Sequence, residues 1–235
     1  MNGGKVTLLL PTLNEIEAVS VVVPQIRKEW ADEFICIDGG STDGTVDFMK
    51  AHGFSIHAQS GRGFGQGMLE GMHAATGDIV VEFMPDGNSR AEDIPRIIAK
   101  MREGYDLVVA SRYADGARSD DDDWLTGIGN GMFTTIVNVL FWSNYTDVLT
   151  GFRAYRRSKF LQLEMDTPGL SWPAQSCMRA ARAGLRIADM GADEPKRIGG
   201  VRKMKPFKTG MEISLLILRD FLFYRPSKGL RKDHT

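Results

Sequence analysis

A chain of 235 residues with 43% hydrophobic residues is long enough to bury a core, which excludes a disordered polypeptide. Its net charge of −1 is unevenly spread: residues 196–235 hold eleven Lys/Arg against three Asp/Glu, which leaves about −9 on the rest. Cys36 and Cys177 lie too far apart for a metal-ligand or redox spacing, and the apolar run before Pro11 is too short for a signal-peptide core or a membrane span, so a reducing, cytoplasmic setting is expected.

Strand and helix signals alternate from the start. "KVTLLLP" reads as a strand and "NEIEAVSVVVPQI" as a helix disturbed at Pro24. "EFICID" is a strand running into "GGSTDGT", "TVDFMKAHG" a helix stopped at Gly53, and "FSIHAQ" a short strand. "GRGFGQGMLEGMHAATG" is a glycine loop leading into a helix, followed by the strand "DIVVEFM", the helix "AEDIPRIIAKMREG" and the strand "DLVVAS". This alternation predicts an α/β fold, a mostly parallel central sheet with helices on both faces.

Beyond residue 112 the pattern changes. "DGARSDDDDW" is an acidic loop, "GIGNGMFTTIVNVLFW" a helix, "TDVLTGFRAYRR" mixed turn and strand, "SWPAQSCMRAARAG" a helix and "LRIADMGADEP" a short strand. "RIGGVRKMKPFKTG" is a basic loop before a last helix, "MEISLLILRDFLFY". No internal repeat interrupts the chain, so residues 1–235 are expected to form one domain, 113–235 built against 1–112.

Ligands of open α/β sheets bind outside the carboxyl ends of the strands. Three loops fall there: Pro11–Glu15, Asp38–Thr45 and Asp86–Asn88. "DGGSTDGT" suits either a ligand loop or a turn with a helix N-cap. The glycines at 61, 63, 65, 67 and 71 fit neither G-x-G-x-x-G nor a P-loop, which weakens dinucleotide and P-loop readings.

"VTLLLPTLNE", "ICIDGGSTDGT", "GRGFGQGMLEGMHAATGDIVVEFMPDGN" and "TGFRAYRR" together resemble family 2 glycosyltransferases of the GT-A fold. The branch they look like is that of the polyprenyl-phosphate (dolichol-phosphate) mannose or glucose synthases. The likeness covers residues 5–160, with a looser echo at 197–208. It implies that Pro11, Thr12, Asn14 and Glu15 contact the nucleotide, that Asp38 holds the base, and that Arg62 and Gly63 lie beside it. Asp86 matches the second Asp of the D-x-D metal motif, and Asn88 falls where the branch has a metal-binding Gln. Arg112 and Arg153 match basic residues of the acceptor and phosphate region. Arg202 and Lys203 fall in a basic loop closing over the donor diphosphate.

Two departures stand out. Gly39 and Gly40 stand where the branch often has more Asp, and Met84 replaces the first Asp of D-x-D. A thioether is a poor ligand for Mg²⁺ or Mn²⁺. The expected divalent site is therefore Asp86 with the carbonyl of Asn88, completed by phosphates and water. Period-two alternation puts Glu82 on the face of Met84 and Asp86, so Glu82 either replaces part of the missing carboxylate or pairs with a basic residue at the sheet edge.

The function implied is inverting, metal-assisted transfer of a hexose from UDP or GDP to a dolichyl or undecaprenyl phosphate. A phosphate acceptor needs no general base, and His52, His57, His73 and His234 are not placed as one. Asp147 is the spare base should the acceptor be a hydroxyl. The alternatives are a transferase acting on a soluble or glycan hydroxyl, and a non-catalytic sugar-nucleotide-binding protein. The basic last helix either lies peripherally on the cytoplasmic face of an anionic membrane or covers the second half as core. A nucleic-acid partner is not expected, because the tail interleaves only Phe207 and Tyr224 among its cations.

Overall fold

The structure, a computed structural model, describes residues 4–122, 124–199, 204–227 and 229–230. Its strands are β1 (Val6–Thr12), β2 (Glu33–Asp38), β3 (Ser55–Ala58), β4 (Ile79–Glu82), β5 (Leu107–Ser111), β6 (Arg153–Arg156) and β7 (Ile187–Gly191). They form one sheet in the order β3-β2-β1-β4-β6-β5-β7. β6 runs antiparallel to both neighbours, and every other pairing is parallel.

The strands are apolar on both faces because both faces are covered. Leu8, Leu10, Val81, Val108 and Ala110 pack beneath α1 (Ile16–Val22), α2 (Thr45–Ala51) and α4 (Ile94–Arg102). Leu9, Ile37, Val80, Leu107 and Val109 face the opposite cluster, beneath α3 (Phe64–Ala74), α5 (Trp124–Phe141), α7 (Trp172–Arg182) and α8 (Pro206–Phe223). Each buried Leu, Ile or Val among them contributes about 1.5–3 kcal/mol of transfer free energy. Pro24 limits α1 as its missing N–H requires: the α-helix stops at Val22 and a single 3₁₀ turn carries the chain through the proline.

The glycine run has a packing cause. A Cβ at Gly71 would lie 2.8 Å from a Leu9 methyl, so α3 sits tightly on β1 and β2. A Cβ at Gly65 would lie 2.1 Å from the Thr167 carbonyl oxygen, and the Gly65 N–H donates to the Pro168 carbonyl at 2.9 Å. The start of α3 is thereby pinned to a segment from the second half of the chain.

Three expectations need correction. The last helix begins at Pro206, five residues before Met211, because Pro at a first-turn position starts a helix rather than prolonging a loop. A short helix, α6 (Arg157–Phe160), follows β6 directly where only turn and strand were expected. β4 ends at Glu82, so strand alternation does not carry Glu82, Met84 and Asp86 onto one face.

Candidate active site

The loops after β1, β2 and β4 open into one cleft of about 640 Å³ at the carboxyl ends of the strands. Sheet register brings the first two together, because Thr12 is the partner of Asp38. The cleft is lined by Pro11, Thr12 and Glu15, by Arg62 and Gly63, by Asp86 and Asn88, and by Arg112. Eight of the expected residues thus meet in one place.

Two others support its walls. Asp38 Oδ2 accepts the N–H groups of Gly40 (2.9 Å) and Ser41 (3.0 Å), and the Thr12 hydroxyl donates to Oδ1 at 3.4 Å. Asn14, at φ 54°, accepts the Thr42 N–H on Oδ1 at 2.8 Å and donates its own N–H to the Ser41 hydroxyl at 2.9 Å. Asn14 therefore ties the first loop to the second and lies outside the cleft lining. In "DGGSTDGT" the N-cap residue of α2 is Gly44, which has no side chain to cap with, and Asp43 before it accepts the N–H groups of Ile16 and Thr45, the first residues of α1 and α2, each at 3.0 Å.

Asp86 is buried, with the Asn88 N–H donating to Oδ1 at 3.3 Å. Arg197, a residue the sequence reading passed over, reaches in between two loops. Its guanidinium donates to Asp86 Oδ2, and to Glu15 Oε1 at 3.4 Å. The next residue holds the same turn, since the Ile198 N–H donates to the Asp86 carbonyl at 2.9 Å. Burial raises the Asp86 carboxyl above its usual range and Glu15 adds to this, while Arg197 opposes it. Arg202 and Lys203 lie outside the described residues.

On the opposite wall, Arg112 is gripped by Asp147: Nε to Oδ2 at 2.6 Å and Nη2 to Oδ1 at 3.0 Å. Its remaining edge, Nη1, donates to Asp122 at 3.2 Å and Glu194 at 3.4 Å. Asp147 also accepts the N–H groups of Leu149 (3.0 Å) and Thr150 (3.1 Å) and is fully buried. Burial pushes the Asp147 carboxyl up, but Arg112 and these N–H donors hold it below its usual value. It is no spare base: it orients Arg112.

Arg153 is also misjudged from sequence. It is fully buried in β6 and outside the cleft lining. Its guanidinium donates to the Pro173 carbonyl at 2.9 Å, the Ser176 hydroxyl at 2.7 Å and the Thr150 carbonyl, which leaves it for the core rather than for an acceptor phosphate. Glu82 is its register partner in β4 and accepts from the Tyr155 hydroxyl at 3.0 Å and the Trp172 indole at 3.3 Å. Neither expectation for Glu82 is met: it lies in an interior strand, bonded to Tyr155 and Trp172, and Arg153 is its register neighbour with its own hydrogen bonds spent elsewhere. Met84 does line the cleft, with its thioether against Gly151.

Arg197 and Glu194 had a readable signal. Glu194 follows β7, whose carboxyl end lies on the same side as those of β5 and the other parallel strands, so "ADEP" was a fourth strand-end loop. Arg197 stands in the basic loop, but 111 residues separate it from Asp86. Among the described residues no group of three or more His, Cys, Asp and Glu side chains could hold a metal ion.

A mixed, mostly parallel sheet with carboxylate loops gathered over one cleft is the architecture of a GT-A nucleotide-sugar-dependent glycosyltransferase. The chain belongs to glycosyl transferase family 2, whose family model matches residues 7–163. It is similar to glycosyltransferase AglJ of Haloferax volcanii, 29% identical over 98% of this chain and 78% of that protein. It is similar to the dolichyl-phosphate hexose transferase of the same organism, 28% identical over 90% of this chain and 92% of the relative. In fold it matches the crystal structure of glucosyl-3-phosphoglycerate synthase from Mycobacterium tuberculosis in complex with Mn²⁺, UDP and phosphoglyceric acid, with a TM-score of 0.74 at 21% identity over 96% of this chain and 81% of that one.

Proposed function

We propose that this chain transfers a hexose from a nucleotide-sugar, a UDP- or GDP-hexose, to the phosphate of a polyprenyl phosphate, with inversion at the anomeric carbon. The observation that carries this reading is Arg112. Asp147 grips one edge of its guanidinium at 2.6 and 3.0 Å, while Nη1, on a residue that lines the cleft, makes longer bonds of 3.2 and 3.4 Å. In this reading a phosphate monoester in the cleft takes that more loosely held N–H, and the Asp122 and Glu194 carboxylates turn away from it. The likeness to a dolichyl-phosphate hexose transferase supports the same acceptor.

In this reading the half 1–112 supplies most of the donor site and the half 113–235 most of the acceptor site, with Arg112 at the boundary serving the acceptor and Arg197 reaching across to the donor. An acceptor phosphate oxygen attacks the anomeric carbon, the bond from that carbon to the diphosphate breaks, and the diphosphate leaves with the electron pair. The phosphate is already an anion near neutral pH, so no side chain has to take a proton from it. Arg62 at the rim and Arg197 beside Asp86 are placed to counter charge on the diphosphate.

The buried Asp86 carboxylate is a hard oxygen donor of the kind Mg²⁺ or Mn²⁺ takes, and the Asn88 carbonyl would be the second protein ligand. When bound, such an ion neutralises charge on the leaving diphosphate. The work of this chain is to hold Asp86 in place, through the Asn88 and Ile198 N–H groups, with Arg197 balancing its charge.

A second reading, transfer to a hydroxyl, has one specific observation behind it. Glu194 lines the cleft with its carboxyl raised by burial, as a general base requires. The test is transfer from radiolabelled UDP- and GDP-hexoses to polyprenyl phosphate, to the corresponding polyprenol and to soluble hydroxyl acceptors. Label in the lipid phosphate alone is the expected result. Transfer to hydroxyls with none to polyprenyl phosphate overturns the first reading and leaves the second. Action at the cytoplasmic face of a membrane accords with this acceptor; no described helix is long and apolar enough to cross one.

A further inference from the structure

The largest feature the cleft does not use is an apolar face on α5 and α8. Both helices pack on α7, and α7 is buried along nearly its whole length. Phe133 lies against Gly210 and Phe141 against Phe221, so α5 and α8 run side by side in the same direction. Their outer sides therefore both face away from α7.

Those outer sides are apolar where a water-facing helix is polar. On α5 an exposed stripe repeats at Ile128, Met132, Ile136 and Val139, between Trp124 and Trp142, which are 77% and 81% exposed. On α8 the stripe is Phe207, Met211, Leu215, Leu218 and Leu222, with Phe207 at 86% exposed. The eighteen residues of α5 include no charged side chain. Apolar surface this extended is rare on a protein that meets only water.

We propose that this two-helix face docks on an anionic lipid surface, lying in the interface without crossing it. Three observations select lipid as the occupant. First, exposed cations lie at both ends of α8: Lys205 and Lys208 at its start, Lys208 with Glu212 at 3.9 Å, and Arg225 beyond its end. That pattern complements anionic headgroups. Second, exposed indoles stand at the two ends of the α5 stripe, the amphipathic rings that settle at headgroup level. Third, the face begins at the cleft: Met204 lines the cleft, and Phe207, three residues on, opens the α8 stripe. A phosphate tethered to a membrane lipid thus meets the cleft from the plane on which the face rests. The inner side of α8 excludes a spanning role, since Asp220 is buried there in an ion pair of 2.7 Å with Arg179. This deepens the acceptor reading, and only the purpose of the docking rests on it.

The experiment is flotation of the full chain with phosphatidylcholine vesicles, with and without phosphatidylglycerol, free of polyprenyl phosphate and nucleotide. The chain is expected to float with the anionic vesicles, and with neutral ones about tenfold or more less tightly. The paired variants Met211→Glu with Leu215→Glu, and Ile128→Glu with Met132→Glu, each weaken binding about a hundredfold while the melting temperature stays near that of the parent chain, because all four side chains are exposed. A parent chain left behind by anionic vesicles, variants that float as well as it does, or equal binding to neutral and anionic vesicles overturns the proposal. So does a stable dimer in light scattering that these variants break, since a second copy then covers the face. Transfer to detergent-dispersed polyprenyl phosphate separates the two ideas: a chain that floats but never glycosylates that acceptor refutes the acceptor reading and leaves the docking face standing.

Discussion

Replacing Asp147 by Asn tests whether this carboxylate holds Arg112 rather than serving the reaction as a base. The pair is buried on both sides, with Asp147 fully enclosed and Arg112 at 8% exposure. Removing one member of a buried pair leaves the other charge stranded, at about 3–5 kcal/mol. Arg112 keeps Asp122 and Glu194 at 3.2 and 3.4 Å, which argues for the lower end. A loss of about 3 kcal/mol lowers the melting temperature of a chain this size by about 6–12 °C. The pH dependence gives a second reading of the same contact. The folded carboxyl sits below its ordinary value of 3.8, so its stabilisation is complete above that value and is lost as the pH falls through the lower, folded one. The Asn variant lacks this part of acid unfolding. Denaturant midpoints at neutral and acid pH, with the KM for polyprenyl phosphate, measure both effects. An Asn variant within about 0.5 kcal/mol of the parent chain refutes the assignment. So does one whose stability is intact but whose kcat alone collapses, since that is the behaviour of a base.

Asp86→Ala is expected to cut hexose transfer at least about a hundredfold, with nucleotide binding no longer answering to Mg²⁺ or Mn²⁺; unchanged turnover refutes the metal turn. Burial pushes the Glu82 carboxyl up to about 7 from 4.5, so the folded chain keeps a proton that the unfolded chain has released, and stability falls as the pH rises across that window. Glu82→Gln removes that fall, of roughly 3 kcal/mol, and denaturation on either side of the window reads it directly. Gly65→Ala places a Cβ 2.1 Å from the Thr167 carbonyl oxygen, a backbone atom that cannot swing away. It is expected to destabilise by about 1–3 kcal/mol in the same assay, where a neutral outcome refutes the packing account of the glycine run.

The apolar runs "TLLLP", "FICID", "IVVE" and "LVVAS" were legible as buried strands because a strand covered on both faces must be apolar throughout. With the strands known, the strand-end rule was enough to gather Thr12, Glu15 and Asp86 at one cleft, since parallel strands deliver their loops to the same side. Local pattern could not tell Arg112 from Arg153. Both follow or open short strands, yet one lines the cleft and the other is sealed in the core. The difference arises because β6 inserts antiparallel between β4 and β5, opposite Glu82, and strand order is a long-range property. Arg197 and Asp86, far apart in the chain, meet only because the segment after β7 folds back over the turn after β4. The exposed stripes of α5 and α8 have the same origin. Their period was written in the sequence, but whether an apolar stripe faces a core or the outside is decided by what packs on it, and here α7 takes the inner sides and leaves the outer ones bare.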